Sequence, residues 1–213
     1  MPTKNIKSVY ADFRAGFENN PNYTIDFYTK NALFFNNINS LNTTEELRLY
    51  IELIWQYLNA IYIKGRFNDT VDKVNKTQPF IDSEINKLNA NNLKDEWYQG
   101  ILLFKGMASY RLRDYKTATN IFRDLVQSDT NNENYKNWLN YSRYGQRLWL
   151  VYLATLFFTA LIFSSLFLEK HISNYYLGQS IRLIGLLGVV GFLSILGYEY
   201  YIKRSFRKTT ASK

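Results

Sequence analysis

The side chains that most often carry out catalysis are scarce in this chain of 213 residues. It contains no cysteine, so a Cys–His nucleophile pair cannot form, and its single histidine is His171. That histidine lies in a short polar link between two long apolar runs, away from the bulk of the polar sequence. The metal-binding pattern His-Glu-x-x-His and the phosphate-binding pattern Gly-Lys-Ser/Thr are both absent. These residue types therefore predict no nucleophilic, metal or phosphate chemistry.

Two pairs of neighbouring carboxylates are the remaining groups that could do acid–base chemistry. They are Glu45-Glu46 and Asp95-Glu96. Each pair stands just before an apolar run, and Thr43-Thr44-Glu45-Glu46 has the residue types of a helix N-cap followed by an acidic first turn. We interpret both pairs as helix-capping residues. The chain is accordingly predicted not to be an enzyme, with no catalytic residue, no metal ligand and no cofactor.

The positive charge of the chain is concentrated towards its C-terminus. The formal net charge is +8; residues 1–147 hold 19 basic and 16 acidic side chains, whereas residues 148–213 hold 7 and 2. A nucleic-acid interface needs a basic face on the folded domain, and the nearly balanced polar part lacks that excess. We therefore expect no nucleic acid partner and interpret the C-terminal basic cluster as the flank of a membrane segment.

Residues 148–168 and 183–202 are long and apolar enough to cross a bilayer. The first run reads LWLVYLATLFFTALIFSSLFL and has no charged residue, and the second is interrupted only by Glu199. A spanning helix needs roughly 20 apolar residues, whereas a soluble helix of that length would show a polar face. The link between the runs is short, so they are predicted to form an antiparallel transmembrane hairpin.

Basic residues flank this hairpin on one side. Arg143 and Arg147 precede the first run, and the stretch KRSFRK follows the second. Because Lys and Arg accumulate on the cytoplasmic side of membrane helices, both termini are predicted to be cytoplasmic. The abundance of Asn, Lys, Ile and Tyr is typical of a low-GC bacterial genome, which makes a bacterial inner membrane the expected location and membrane lipid an expected partner.

Small residues recur at every third position of GLLGVVGFLSILG, residues 185–197. Packing rather than the hydrophobic effect holds membrane helices together, and small residues allow close approach. A step of three residues falls about 60° short of a full turn, so these positions wind around the helix and can meet more than one neighbour. We predict that the hairpin packs, and forms a homo-oligomer, through Thr155, Thr159, Gly185, Gly188, Gly191, Ser194 and Gly197.

The polar part of the chain shows helical periodicity and an internal repeat. Residues 99–132 read QGILLFKGMASYRLRDYKTATNIFRDLVQSDTNN and resemble a tetratricopeptide repeat, with small residues at Gly106 and Ala108 and an alanine at Ala118. Small residues at these places permit two antiparallel helices to cross closely, and Asp114 is placed to cap the second helix. The resemblance implies an all-α helical-repeat domain.

A weaker copy of this pattern lies upstream in residues 51–84. Ala60 and Thr70 take the roles of Ala108 and Ala118, so that 48 residues separate the two copies. Further amphipathic helices are predicted before the copies, at residues 6–18 and 22–38, and after them a terminal helix is expected to run on past Gly145 into the first apolar run.

These patterns predict two domains. Residues 1–145 form a cytoplasmic helical domain resembling tetratricopeptide repeats, at about 51–84 and 99–132, and residues 146–213 form the membrane hairpin with its basic tail. In the family, the first helix of each repeat lines a concave groove that binds protein partners. By that resemblance the groove residues are Trp55, Asn59, Tyr62, Ile63, Leu103, Met107, Tyr110 and Arg111. Plain packing against the N-terminal helices is the alternative for the same side chains.

Two functions follow from this organisation. The first is a membrane-anchored adaptor or scaffold, which binds a protein partner through the helical domain and holds it at the membrane. The second is an oligomeric, pore-type effector of a bacterial defence system, in which the helical domain senses a partner and the hairpin perturbs the membrane. The few polar residues of the apolar runs, such as Thr155 and Ser194, speak against a wide polar pore.

Overall fold

The computed structural model of the chain describes residues 5–17, 20–93, 97–169 and 175–210. Within those ranges the chain forms helices and turns without a β-strand, which confirms the all-α prediction. The chain divides into two compact units, Met1–Arg143 and Tyr144–Lys213. The nine helices of the described ranges are α1 Ile6–Ala15, α2 Pro21–Lys30, α3 Ala32–Asn37, α4 Thr44–Ile63, α5 Phe67–Lys87, α6 Gln99–Arg111, α7 Tyr115–Ser128, α8 Glu133–Glu169 and α9 Tyr175–Thr210.

Side-chain caps determine where several helices begin. The Thr43 hydroxyl accepts a hydrogen bond from the Glu46 N–H at 3.2 Å, and the Glu46 carboxylate accepts one from the Asn42 N–H at 2.8 Å. Asp114 likewise accepts from the Thr117 N–H at 3.1 Å. These bonds satisfy amides that the first turn of a helix leaves unpaired. The capping interpretation of Glu46 and Asp114 is confirmed, while Asp95-Glu96 and His171 lie outside the described residues.

The second amphipathic helix predicted at 22–38 is wrong in its length, because the structure has two helices there. Asn31 separates α2 from α3. Its side-chain amide donates to the Phe27 carbonyl at 2.9 Å, and its backbone N–H donates to the same carbonyl at 3.1 Å. Asparagine side chains compete in this way with the backbone bonds that would continue a helix, so α2 stops where the apolar periodicity alone would continue.

Helix α4 is the centre of the first unit, because α1, α2, α5 and α6 all pack against it. Its sequence is apolar on nearly every side, which is the pattern of a helix surrounded by others. The main hydrophobic core forms around it and includes the fully buried side chains of Leu47, Ile51, Ile54, Leu58 and Ile61. A second cluster joins α6, α7 and the first turns of α8, where the ring of Trp138 stacks on Phe122 at 5.6 Å.

The helix pairs α4–α5 and α6–α7 end their first helices in the same way. At the end of α4, the Gly65 N–H donates to Tyr62 and the Arg66 N–H to Ile61, both at 2.9 Å. At the end of α6, the Arg113 N–H donates to the Tyr110 carbonyl at 3.0 Å and the following N–H, that of Asp114, to Ser109 at 2.9 Å. Gly65 and Arg113 both have left-handed φ angles, of 73° and 65°. Both turns are therefore Schellman motifs.

Equivalent positions in the two helix pairs are also buried in both. Ala60 and Ala108 are both buried on the first helices, and Thr70 and Ala118 are both fully buried on the second helices. Small buried residues at these places allow the close helix crossing that the repeat pattern predicted. The two copies are thus similar in turn geometry and in buried positions, at the spacing of 48 residues between Thr70 and Ala118.

The second unit contains the long apolar parts of α8 and α9. Helix α8 runs unbroken through Gly145, as the sequence predicted. Both helices are long and apolar enough to span a membrane, by length and composition, at Glu133–Leu168 and Leu177–Tyr198. In the most apolar 18-residue stretch of each helix, only 6% and 11% is buried, respectively.

Candidate interaction surfaces

Trp55 of α4 is a packing residue between α4 and α6. Its ring lies 5.5 Å from that of Trp97 and 5.7 Å from that of Phe104, in edge-to-face contacts. Its indole also covers Gly100, where a Cβ atom would lie 2.5 Å from the indole Nε1. A side chain larger than hydrogen at residue 100 would therefore displace the indole. The predicted groove residue Trp55 is half-buried by these contacts.

Tyr62, the last residue but one of α4, is half-buried in the same interface. Its ring lies 5.3 Å from Phe67 and 5.8 Å from Phe104. Asn59 is half-buried as well, whereas Ile63 is 60% exposed. The predicted groove side of α4 is therefore closed by aromatic packing at Trp55 and Tyr62 and open at Ile63.

On α6, the predicted groove residues take three different environments. Leu103 packs on the second cluster, and Met107 touches both hydrophobic clusters. Tyr110 turns towards α7 and α8, with its ring 5.4 Å from Tyr115 and 5.5 Å from Trp138; burial raises the pKa of its hydroxyl. Arg111 is exposed. Leu103, Met107 and Tyr110 thus contribute to cores, and Arg111 is the one of the four that faces solvent.

The structure brings the two halves of the predicted groove onto neighbouring helices. Trp55 meets Gly100, and Tyr62, further along α4, meets Phe104, further along α6. Since the contacts advance in the same direction on both helices, α4 and α6 are parallel and adjacent. The N-terminal helices also contact α4, for example through Tyr28 of α2, whose ring stacks on that of Tyr57 at 3.9 Å.

Lys73 of α5 lies beside this Tyr28–Tyr57 stack, which the sequence did not single out. Its ammonium nitrogen is 4.5 Å from the centroid of the Tyr28 ring. Tyr28 is also stacked on Phe35 at 4.1 Å. Burial, with the neighbouring charge of Lys76 as a second cause, lowers the pKa of Lys73 to about 8. The arrangement is a cation–π contact in a partly desolvated aromatic cluster.

Three of the small residues in the second unit face the apolar part of α8. A Cβ atom on Gly185 would collide with the Ser165 hydroxyl, and one on Gly191 would collide with the ring of Phe158. At Gly188 it would lie 3.0 Å from Ile162 Cγ1 and 3.3 Å from the Phe158 carbonyl oxygen. These glycines therefore let the two helices approach closely.

The other predicted packing residues are not engaged in that way. A Cβ atom on Gly197 would meet nothing within 4 Å. Ser194 is exposed and its hydroxyl donates to the Val190 carbonyl at 2.8 Å, while the hydroxyl of the half-buried Thr155 donates to Val151 at 2.8 Å. Thr159 is half-buried. The partners of the glycines on α8, Ser165 and Phe158, were not among the predicted residues.

The outer faces of the hairpin are apolar and exposed. Large side chains on both helices are largely open, among them Leu156, Phe157, Phe163, Leu166, Leu186, Leu187 and Leu193. Soluble proteins rarely expose a continuous apolar surface of this kind, which marks a membrane or partner contact. The side chains of Glu199 and of the KRSFRK stretch lie outside the described residues.

Across the described ranges no group of three or more His, Asp or Glu side chains is arranged to hold a metal ion. Among protein-family models, curated proteins and solved structures, none matches this chain. The resemblance to tetratricopeptide repeats therefore stays a prediction that rests on the residues and on the two similar helix pairs.

Proposed function

We propose that this protein is a membrane-anchored interaction module, in which α8 and α9 form a transmembrane hairpin and the first unit binds a protein partner. One observation carries the proposal. A helical unit with its own hydrophobic core is joined to two long helices whose apolar windows are only 6% and 11% buried. Apolar surface on this scale is stable in lipid and is costly in water.

Charge supports a cytoplasmic position for the first unit. Arg143 and Arg147 precede the first apolar run, and Lys203 and Arg204 follow the second. The positive-inside rule places such residues on the cytoplasmic side, and the composition favours a bacterial inner membrane.

The two similar helix pairs support a partner-binding role for the first unit. Helical repeats bind through the surface of their first helices, which here are α4 and α6. Asn59, Ile63 and Arg111 are the groove residues that keep the most polar or exposed surface. Of these three, Asn59 lies furthest from the end of its helix, and a partner of the adaptor would contact it at the edge of the aromatic packing.

Membrane insertion is tested first, by alkaline carbonate extraction and by protease digestion of sealed inside-out and right-side-out vesicles. We expect the full chain to stay in the membrane pellet, with the first unit cut only in inside-out vesicles. Release by carbonate would overturn the anchor, and cutting in right-side-out vesicles would overturn the orientation.

Partner binding is tested by quantitative crosslinking and affinity purification from solubilised membranes. We expect the variant Asn59→Lys to lose the partner, whereas Arg123→Glu, at an exposed arginine on α7, retains it. A full chain that is strictly monomeric in detergent and captures no stable partner would overturn the adaptor role.

The pore-type effector finds less support. The hydroxyls of Thr155, Ser165 and Ser194 each donate to a carbonyl of their own helix, so they have no hydrogen-bond donor left to offer to a channel. A membrane-potential dye during induced expression separates the two functions, since an adaptor leaves the potential unchanged.

A further inference from the structure

Four basic side chains lie in two neighbouring turns of the first unit. Lys64 and Arg66 belong to the α4–α5 turn, Arg111 is the last residue of α6, and Arg113 belongs to the turn that follows it; all four are exposed. Each turn also carries an exposed apolar side chain, Ile63 and Leu112, the latter 39% exposed. We call these six residues the basic turn patch.

The two turns lie at the same end of the unit. Because α4 and α6 are parallel neighbours, with Trp55 against Gly100 and Tyr62 against Phe104, their C-terminal ends point the same way. The Schellman motifs that end both helices give the two turns the same backbone path. The basic side chains are therefore gathered on one end of the helical stack.

Helix α8 leaves the first unit at this same end. The Tyr135 hydroxyl donates to the side-chain carbonyl of Gln99, at the start of α6, at 3.3 Å. Trp138, one turn later, has its ring 5.5 Å from that of Tyr110, near the end of α6. Helix α8 thus runs parallel to α6, and Arg143, the last residue of the unit, lies towards the turns.

Chain length then limits how far Arg143 can be from the apolar run. Residues 144–147 alone separate Arg143 from Leu148, where the uncharged run begins. Even a fully extended chain covers at most about 18 Å over five residues. This bound follows from connectivity and holds for any arrangement of the two units.

Two of the acidic side chains near the patch are engaged, while Asp72, one turn beyond Asp69 on α5, is exposed. Asp69 forms an ion pair with Arg66 at 2.5 Å, and Asp114 caps α7. The opposite end of the unit is more acidic, because the start of α4 carries Glu45 and Glu46, and the α7–α8 turn carries Asp129 and Glu133; its lysines Lys7 and Lys136 are in ion pairs with Glu45 and Glu133. The end with the two turns therefore carries more positive charge than the opposite end, from Lys64, Arg111 and Arg113, while the charge of Arg66 is paired with Asp69.

We propose that the basic turn patch binds anionic lipid headgroups of the membrane that holds the α8–α9 hairpin, which rests on the anchoring proposed above. Arginine matches the geometry of phosphate oxygens and forms paired hydrogen bonds with them. Exposed Ile63 and Leu112 can enter the interface between headgroups and acyl chains. An acidic protein could match the charges, but only a lipid surface is held close to the patch by the chain itself.

The test uses the full chain reconstituted in vesicles, with a fluorescent probe on a cysteine. The sequence has no cysteine, so Leu112→Cys gives a single label on the patch, and Thr130→Cys gives a matched label on the opposite, α7–α8 turn. Quenching by a doxyl group on the lipid headgroup is compared in pure phosphatidylcholine and with about 30% phosphatidylglycerol, which gives a negative surface like that of a cell membrane.

We expect strong quenching of the Leu112→Cys probe only with the anionic lipid. That quenching should be lost in about 0.5 M salt, because salt screens the attraction between exposed charges. The Arg111→Glu/Arg113→Glu variant removes two basic contacts with the surface, so its quenching should fall to the level seen in pure phosphatidylcholine. The control Arg48→Glu/Arg123→Glu changes net charge equally at exposed arginines outside the patch and should leave the quenching unchanged. Circular dichroism verifies that all variants keep their helical content.

Each other result overturns the proposal. Equal quenching with both lipids would mean that the tether alone brings the turns near the surface. Equal quenching of the Leu112→Cys and Thr130→Cys probes would mean that the patch is not the contacting end. Protein that carbonate removes from the vesicles would overturn the membrane anchor as well, whereas carbonate-resistant protein without lipid-dependent quenching overturns only the patch.

Discussion

Glu84 of α5 is a buried carboxylate that ties a loop to the core. It is 4% exposed and accepts a hydrogen bond from the Leu41 N–H at 2.9 Å. Lys87 lies 3.2 Å from the same carboxylate and also donates to the Leu41 carbonyl at 3.1 Å. Both the N–H and the carbonyl of Leu41 thus bond to side chains of α5. These bonds fix the loop before α4 to α5, because a buried backbone group without a partner would be costly.

Replacing Glu84 is therefore expected to destabilise the first unit. Glu84→Ala leaves the buried Leu41 N–H without its partner, which costs about 2 kcal/mol of unfolding free energy. Glu84→Gln keeps an acceptor for that N–H and should cost less. Urea unfolding measures both, with Lys136→Ala as the control; it removes an exposed ion pair with Glu133, worth under about 1 kcal/mol. Equal effects of Glu84→Ala and Lys136→Ala would contradict this role.

Lys73 should make stability depend on pH. Burial lowers its pKa in the folded state to about 8, below the ordinary value of about 10.4. Between these values the unfolded chain binds a proton that the folded chain does not, so the unfolding free energy rises with pH, at most by about 1.4 kcal/mol per pH unit. Lys105, whose pKa burial also lowers, adds to the slope in the same direction.

The measurement is denaturant unfolding between pH 7 and 9.5, with Lys73→Met as the variant. We expect the variant to be more stable than the parent near pH 7, where the parent buries a charge, and the difference to shrink as the pH rises. The range stops at pH 9.5 because burial raises the pKa of Tyr28 and Tyr50 in the folded state. Stability from those hydroxyls is lost as pH rises through the tyrosine value of about 10. Parallel pH profiles of variant and parent would contradict the prediction.

At the scale of elements, the packing of α9 against α8 depends on which way the glycines of α9 face. Gly185, Gly188 and Gly191 all lie against α8, whereas Gly197 faces open space. Steps of three residues turn each small position by only about 60°, so the first three glycines still share α8 as their neighbour, and the small positions turn away from α8 only further along α9. Whether the open positions meet a second copy of the chain stays a prediction.

Gly188→Leu is expected to separate the two helices. Even a Cβ atom would lie 3.3 Å from the backbone carbonyl of Phe158, and overpacking of this kind costs typically about 1–3 kcal/mol. The matched control is Gly197→Leu, on the same helix without a contact within 4 Å of the added Cβ atom. Energy transfer between labels on α8 and α9 in detergent measures the separation. A loss of transfer in the control and not in Gly188→Leu would show that the packing faces are assigned wrongly. An unaltered circular dichroism signal of the first unit is expected in both variants.

At the scale of the whole molecule, the two buried hydrophobic clusters found among the described residues lie in the first unit, between Ile6 and Leu139. The second unit instead exposes its apolar surface. A unit with its own core is expected to fold without the other. The fragment 1–143 should therefore be soluble without detergent, helical, and cooperative in thermal unfolding.

Size-exclusion chromatography and circular dichroism of the fragment test this expectation. The full chain should require detergent or lipid under the same conditions, because its hairpin would aggregate in water. A fragment that precipitates, or that unfolds without a cooperative transition, would mean that the first unit depends on the hairpin for its fold.

Local patterns in the sequence determined much of this architecture. The apolar runs, the caps at Thr43 and Asp114 and the two repeated turns depend on residues close together in the chain, whose periodicity and hydrogen bonding can be read directly. The break at Asn31 was missed, since a single asparagine is a weak signal within an apolar period. The role of Glu84 was missed because its partner, Leu41, is distant in sequence.

The tertiary structure decided which faces those helices bury. The helical period placed Trp55 and Tyr62 on one face of α4, but only the packing of α6 against that face shows that they cover Gly100 and Phe104. The same holds for the glycines of α9, because the facing residues Phe158 and Ser165 are set by the crossing of two helices. Periodicity specifies that a helix has an apolar side, while steric fit between residues far apart in sequence determines what that side touches.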